Sequence, residues 1–121
     1  MRGMKFAAVL LFATSLSAQT IDQLIDREMP SLITTYKQLH AAPELSMQEK
    51  KTSETVASQL RAMGFDVTYP FGQYVEPNAT CYGVIAVMKN GNGPTVLVRS
   101  DMDALPVEEQ TGAAYVSQNK A

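Results

Sequence analysis

The sequence predicts an α/β fold in which helices pack a mixed sheet. Three observations carry this: two stretches of helically spaced apolar residues, each opened by a capping-box pattern; short apolar or alternating runs of strand character; and connections that combine hairpin turn chemistry with helical crossovers. The chain has 121 residues, enough for one small domain, and carries one histidine and one cysteine.

The first eighteen residues read as a secretory signal lying outside the fold. Arg2 and Lys5 make a basic start, residues 6–13 a short apolar core, and Ser15-Leu16-Ser17-Ala18 the small residues of a cleavage site. The apolar run is well short of the roughly 20 residues that span a bilayer. Cleavage after Ser17 or after Ala18 remains open, and the mature part is residues 19–121. Without this segment the formal charge falls from −2 to eight basic against twelve acidic residues. A mildly acidic chain with no basic stripe excludes nucleic acid as a partner. After cleavage no membrane partner is expected, and oligomeric state is not assigned.

Thr20 and Gln23 form the first capping box, and Ile21, Leu24, Ile25, Met29, Leu32, Ile33, Tyr36 and Leu39 recur at helical spacing. A helix over 21–39 is expected, kinked or split at Pro30. Ala41-Ala42-Pro43 breaks it. Ser46 and Glu49 form the second capping box, opening a helix with the apolar face Met47, Val56, Leu60 and Met63, which Gly64 closes at positive φ.

Residues 65–69 alternate and read as a strand, 70–80 as a loop, and 82–88 as a second strand. Lys89-Asn90-Gly91-Asn92-Gly93-Pro94 is turn chemistry leading into a third, buried strand over 95–99, expected to pair with the second as a hairpin. Cys81 cannot form an internal disulfide, and a buried thiol is its expected state. Asn78-Ala79-Thr80 is formally a glycosylation sequon.

The third strand ends in Asp101 and Asp103, where ligands of open α/β sheets gather. An isolated Asp-x-Asp at such a junction also serves as an N-cap or Asx-turn. His40, at a helix end, reads as a capping or packing residue rather than a metal ligand. Glu44 suits the positive end of the next helix. Glu49 has the capping box, and Glu108 and Glu109 read as a solvated face.

Leu39-His40-Ala41-Ala42-Pro43-Glu44-Leu45, then Glu49, Thr52 and Gly64, then Arg99-Ser100-Asp101-Met102-Asp103-Ala104-Leu105-Pro106 with Glu109, stand in an informative order. The pattern resembles the hippurate-hydrolase and N-acyl-amino-acid amidohydrolase branch of the aminoacylase/carboxypeptidase metallopeptidase family. Members read L-H-x-x-P-E-L and R-A-D-M-D-A-L-P; Ser100 in place of Ala is the one departure in the second block. The likeness covers residues 36–117.

The resemblance implies the N-terminal portion of a mixed-sheet, helix-flanked catalytic domain with two divalent ions, zinc or manganese. Its activity would be hydrolysis of the amide of N-acyl amino acids or related small amides, with a metal-bound hydroxide attacking the carbonyl and a glutamate further along moving the proton. The family's next block, His-x-Cys-Gly-His-Asp, would come after Ser117 and is not in this sequence. The expectation is an incomplete domain that is inactive alone and binds no metal itself. Related metallopeptidases carry a metal-binding His where Arg99 stands, and a guanidinium cannot ligate a cation. Asp101 is then expected to orient a metal-binding His outside this chain, with Asp103 supporting by holding the loop or pairing with Arg99.

Two readings of other classes compete. One is a haloacid-dehalogenase-like phosphatase using Asp101 and Asp103 as nucleophile and acid/base, against which Leu105 and the Arg99-Ser100 interruption stand. A manganese-nucleotide Asp-x-Asp of glycosyl transfer is a weaker variant of the same idea. The other is a secreted, non-catalytic binding module.

Overall fold

The computed structural model describes residues 19–76 and 78–119. The signal segment expected over 1–18 lies outside them. The order is α1 (Ile21–Ala41), α2 (Lys50–Ala62), β1 (Asp66–Phe71) and β2 (Gly83–Val87), a mixed α/β arrangement.

α1 starts as its capping box dictates: Thr20 accepts from the Gln23 N–H at 3.3 Å, and the Gln23 side chain accepts from the Thr20 N–H at 3.1 Å. The helix runs unbroken through Pro30, so the split alternative is not realised. The turn of α1 around Pro30 is served by side chains: the Ser31 hydroxyl donates to the Glu28 carbonyl and the Thr34 hydroxyl to that of Pro30. None of the residues of α1 is buried, although its sequence carries an apolar stripe.

α2 begins without the Ser46 capping box. Glu49 is the N-cap residue and makes no side-chain capping bond. Glu44 supplies the cap instead, its carboxylate accepting from the backbone N–H groups of Thr52 at 2.7 Å and Lys51 at 3.2 Å. These are free amides of the first turn, and a carboxylate there also meets the positive end of the helix dipole. Met47, expected on the apolar face, lies before the helix at φ +67°. Ser53 and Ala57, one turn apart, are fully buried, and Val56 and Leu60 are half-buried, whereas Met63 is exposed. Small residues are what let the helix approach the two strands against which it packs. The end is as expected: Gly64 takes φ +88°, its N–H donates to the Arg61 carbonyl and that of Phe65 to Leu60, closing the last turn.

β1 and β2 pair antiparallel, with Asp66 opposite Val87 and Thr68 opposite Ile85. The register shifts before Phe71 meets Gly83, and Pro70, which has no N–H to give a ladder, occupies that irregular stretch. At Gly83 a Cβ would stand 2.4 Å from the Phe71 carbonyl oxygen, so only glycine permits this crossing.

The expected third strand is corrected. Residues 95–99 form no strand, and Val96, Leu97 and Val98 are 82–89% exposed. β-Branched composition favours an extended chain, but a strand also needs a neighbouring edge for its amides, and among the described residues β2 is paired with β1 alone. The chain beyond is tied back differently. Leu45 and Ala104 make an isolated parallel bridge, and the Ala104 N–H donates to the Glu44 carbonyl at 2.7 Å. Among the described residues, no helix is long and apolar enough to cross a membrane.

Candidate functional site

The end of α1, one face of α2 from Thr52 to Leu60, β2 and residues 100–111 surround a groove of about 810 Å³. Leu39, Val56, Leu60 and Val84 give it apolar walls; His40, Glu44, Asp101, Asp103 and Glu109 bring polar groups to it. Both aspartates singled out by sequence therefore line one cavity, together with the histidine.

Asp101 is exposed, and its Oδ1 accepts from the Arg99 guanidinium at 2.7 Å. This corrects the expected Arg99 to Asp103 pairing: across one intervening residue, the fork of Arg99 reaches Asp101. An exposed pair of this kind contributes roughly 0–1 kcal/mol, so it does little more than bias the loop.

Glu109 overturns the expectation of a solvated face. Its Oε2 lies 2.9 Å from His40 Nε2 and accepts from the Ser117 N–H at 2.8 Å, while Oε1 accepts from the Thr111 hydroxyl. Its side chain is only 13% exposed. The Thr111, His40 and Ser117 donors together hold its carboxyl down at about 2. Because an ionised carboxylate only accepts, the proton of this contact sits on Nε2. The imidazole is framed by Tyr36 and, edge-on, by Tyr115, over whose ring the Lys37 ammonium stands 5.4 Å from the centroid. His40 thus packs against the two tyrosines and pairs with Glu109. The partnership spans 69 positions, a separation at which spacing carries no signal.

Burial pushes the Glu44 carboxyl up, but the N–H and hydroxyl of Thr52, the Lys51 N–H and the Lys51 charge outweigh it and hold it below the usual carboxylate range. Glu49 is 8% exposed and its Oε2 has no partner. Cys81 is half-buried rather than buried as expected, its Sγ 2.6 Å from where a Gly72 Cβ would sit.

A binuclear metal centre needs several His, carboxylate or Cys donors converging on the ions. Among the described residues no three such side chains converge, and the Nε2 of the one histidine is engaged by Glu109. The described residues do not by themselves fit such a centre.

No family model matches the chain, and no solved structure matches it. Curated relatives do. It is 36% identical over 90 residues to an N-acetyl-L-cysteine deacetylase of Bacillus subtilis, covering 74% of this chain and 20% of that protein. It is 32% identical over 105 residues to an N-acyl-L-amino acid amidohydrolase of Geobacillus stearothermophilus, 86% of this chain and 26% of the relative. With a hippurate hydrolase of Campylobacter jejuni it shares 38% over 84 residues, 69% and 20% of the two lengths. The chain spans about a fifth to a quarter of the length of these relatives.

Proposed function

We propose, from the premise that this chain belongs as a partial match to the branch of N-acyl-amino-acid amidohydrolases and hippurate hydrolase, that it supplies one wall of the active region of a hydrolase. The whole protein cleaves the amide bond of N-acyl amino acids or related small amides, with two divalent ions held by residues other than those described. The observation that carries this reading is the 32–38% identity to three enzymes named for such substrates. The 121-residue chain alone is inactive.

Within that protein Asp101 orients a metal-binding imidazole outside this chain. Its carboxylate is exposed at the groove and occupied on one oxygen by Arg99, leaving acceptor capacity on the other. Asp103, on the same groove, holds the loop. A carboxylate in this role fixes the tautomer and raises the basicity of the ring it holds. No chemical step passes through residues of this chain as ligands. Residues 1–18 direct export to the periplasm or the medium, and N-terminal sequencing of an exported product starting at Ala18 or Gln19 checks this.

A chimera tests the main reading: residues 19–119 replace the corresponding segment of the Geobacillus amidohydrolase. The chain alone is expected to release no amino acid from N-acetyl or N-benzoyl amino acids, and the chimera to do so. Asp101→Asn in the chimera should lower metal content or turnover about 10- to 100-fold with the fold intact. Turnover by the chain alone would remove the inactivity; unchanged metal and turnover in Asp101→Asn would remove the orienting role.

A further inference from the structure

We propose that Glu109 is a positioning residue: by clamping His40 it docks residues 105–119 onto the end of α1 and thereby fixes the Asp101 loop at the rim of the groove. The inference rests on the reading of that loop as the functional edge, but its geometry stands apart from any substrate.

Two anchors bracket the stretch leading away from Asp101. The nearer is at Ala104, whose N–H donates to the Glu44 carbonyl, and the same Glu44 caps α2 with its carboxylate. The further is Glu109, which gathers His40, Thr111 and Ser117 onto one carboxylate. Only a short run, residues 105–108, lies between the anchors, and Pro106 within it restricts the backbone. Beyond Glu109 the segment is drawn in again by Gln118, whose N–H donates to the Ala41 carbonyl at 2.8 Å, and by Asn119, whose amide donates to the Pro43 carbonyl at 2.9 Å.

The neighbouring run shows why such anchoring is needed. Residues 96–98 have no ladder and stand exposed, so the Asp101 loop receives no support from a strand on its N-terminal side. Between the two aspartates Met102 Sδ accepts from the buried Ser53 hydroxyl at 3.9 Å, and the rest of the loop's placement comes from the segment C-terminal to it. Within that segment one carboxylate accepts three hydrogen bonds, from partners up to 69 positions away. Glu109 touches no reacting group. It acts through the strap it holds.

Nuclear magnetic resonance and amide hydrogen exchange on the full chain test this. Glu109→Ala should shift the amide signals of Asp101 and Asp103 and speed exchange of the Ala104 amide about tenfold, leaving the β1–β2 amides unchanged. Glu109→Gln, which keeps an acceptor oxygen, should recover part of the protection. His40→Phe keeps an aromatic ring against Tyr36 and Tyr115 but deletes the pair, and should reproduce the Ala104 effect even if Glu109→Ala does not fold. Changes confined to His40, Thr111 and Ser117, with Ala104 exchange unaltered in His40→Phe, would overturn the proposal. Neither readout uses substrate, so this can fail while amide hydrolysis stands, and hydrolysis can fail while this holds.

Discussion

The unit formed by α2, β1 and β2 and the stretch over residues 94–119 both carry strand-like apolar sequence, yet they are held in opposite ways. In the first, backbone amides pair with one another along a ladder and small side chains, Ser53 and Ala57, bring the helix down onto it. In the second, the backbone forms no ladder beyond one bridge, and side chains tie it to distant residues: Glu109 to His40, Asn119 to Pro43. The difference teaches that apolar, β-branched composition becomes a strand only where a neighbouring edge accepts it. Ile85 and Val87 found β1; Val96 and Val98 found no strand among the described residues.

The ladder should be the more fragile of the two to added volume. Gly83→Ala drives a Cβ against the Phe71 carbonyl, and a destabilisation of about 3 kcal/mol in urea unfolding is expected, at the upper end of overpacking costs. A neutral result would mean that the crossing of the strands is looser than its 2.4 Å approach implies.

Glu44→Ala comes next. It strips α2 of the acceptor for two first-turn amides, at a cost of about 1–2 kcal/mol, read from the same unfolding curves. The tie to Ala104 runs through the Glu44 backbone and should survive.

Acid separates the two regions further. Glu44 and Glu109 both have folded-state carboxyls below their ordinary range, so each stabilises the fold fully above that range and loses its contribution as pH falls. For Glu109 the loss runs from near 4.5 down to about 2. Exchange of the Ser117 amide should therefore accelerate through that window, while the ladder amides, which depend on no carboxylate, stay protected. Glu109→Gln should flatten the pH dependence of Ser117. A Ser117 amide indifferent to acid would show that the strap is held by its backbone bonds instead.

The smallest effect belongs to the exposed run. Leu97→Ser in this chain should change stability by less than about 0.5 kcal/mol, because a side chain that is 87% exposed gives up no burial. A large loss would restore the buried strand that composition predicts.

Much of the local structure was legible in the sequence. Thr20 with Gln23 marks the start of α1, Gly64 the end of α2, and the alternation after Phe65 marks β1, because each of these signals acts over a few residues through bonds the local backbone must make. The second capping box misled for a physical reason: Ser46 and Glu49 have the right spacing, but Glu44 reaches the Thr52 and Lys51 amides from outside the helix and supplies the cap first. Asp101 and Asp103 were legible as groove residues, since an apolar run ending in two carboxylates marks a junction whatever the sheet does.

The sequence by itself determined the two helices, the start of α1 and the end of α2, two of the strands and the likeness to amidohydrolases, all written in short spacings or in contiguous motifs. Only the tertiary structure decided that β2 pairs with β1, that residues 95–99 pair with no strand, and that Glu109 faces His40 instead of water. These depend on which distant partners the folded chain brings within reach. Strand edges and carboxylates accept any suitable donor, so their partners are set by how the chain closes on itself rather than by the residues beside them.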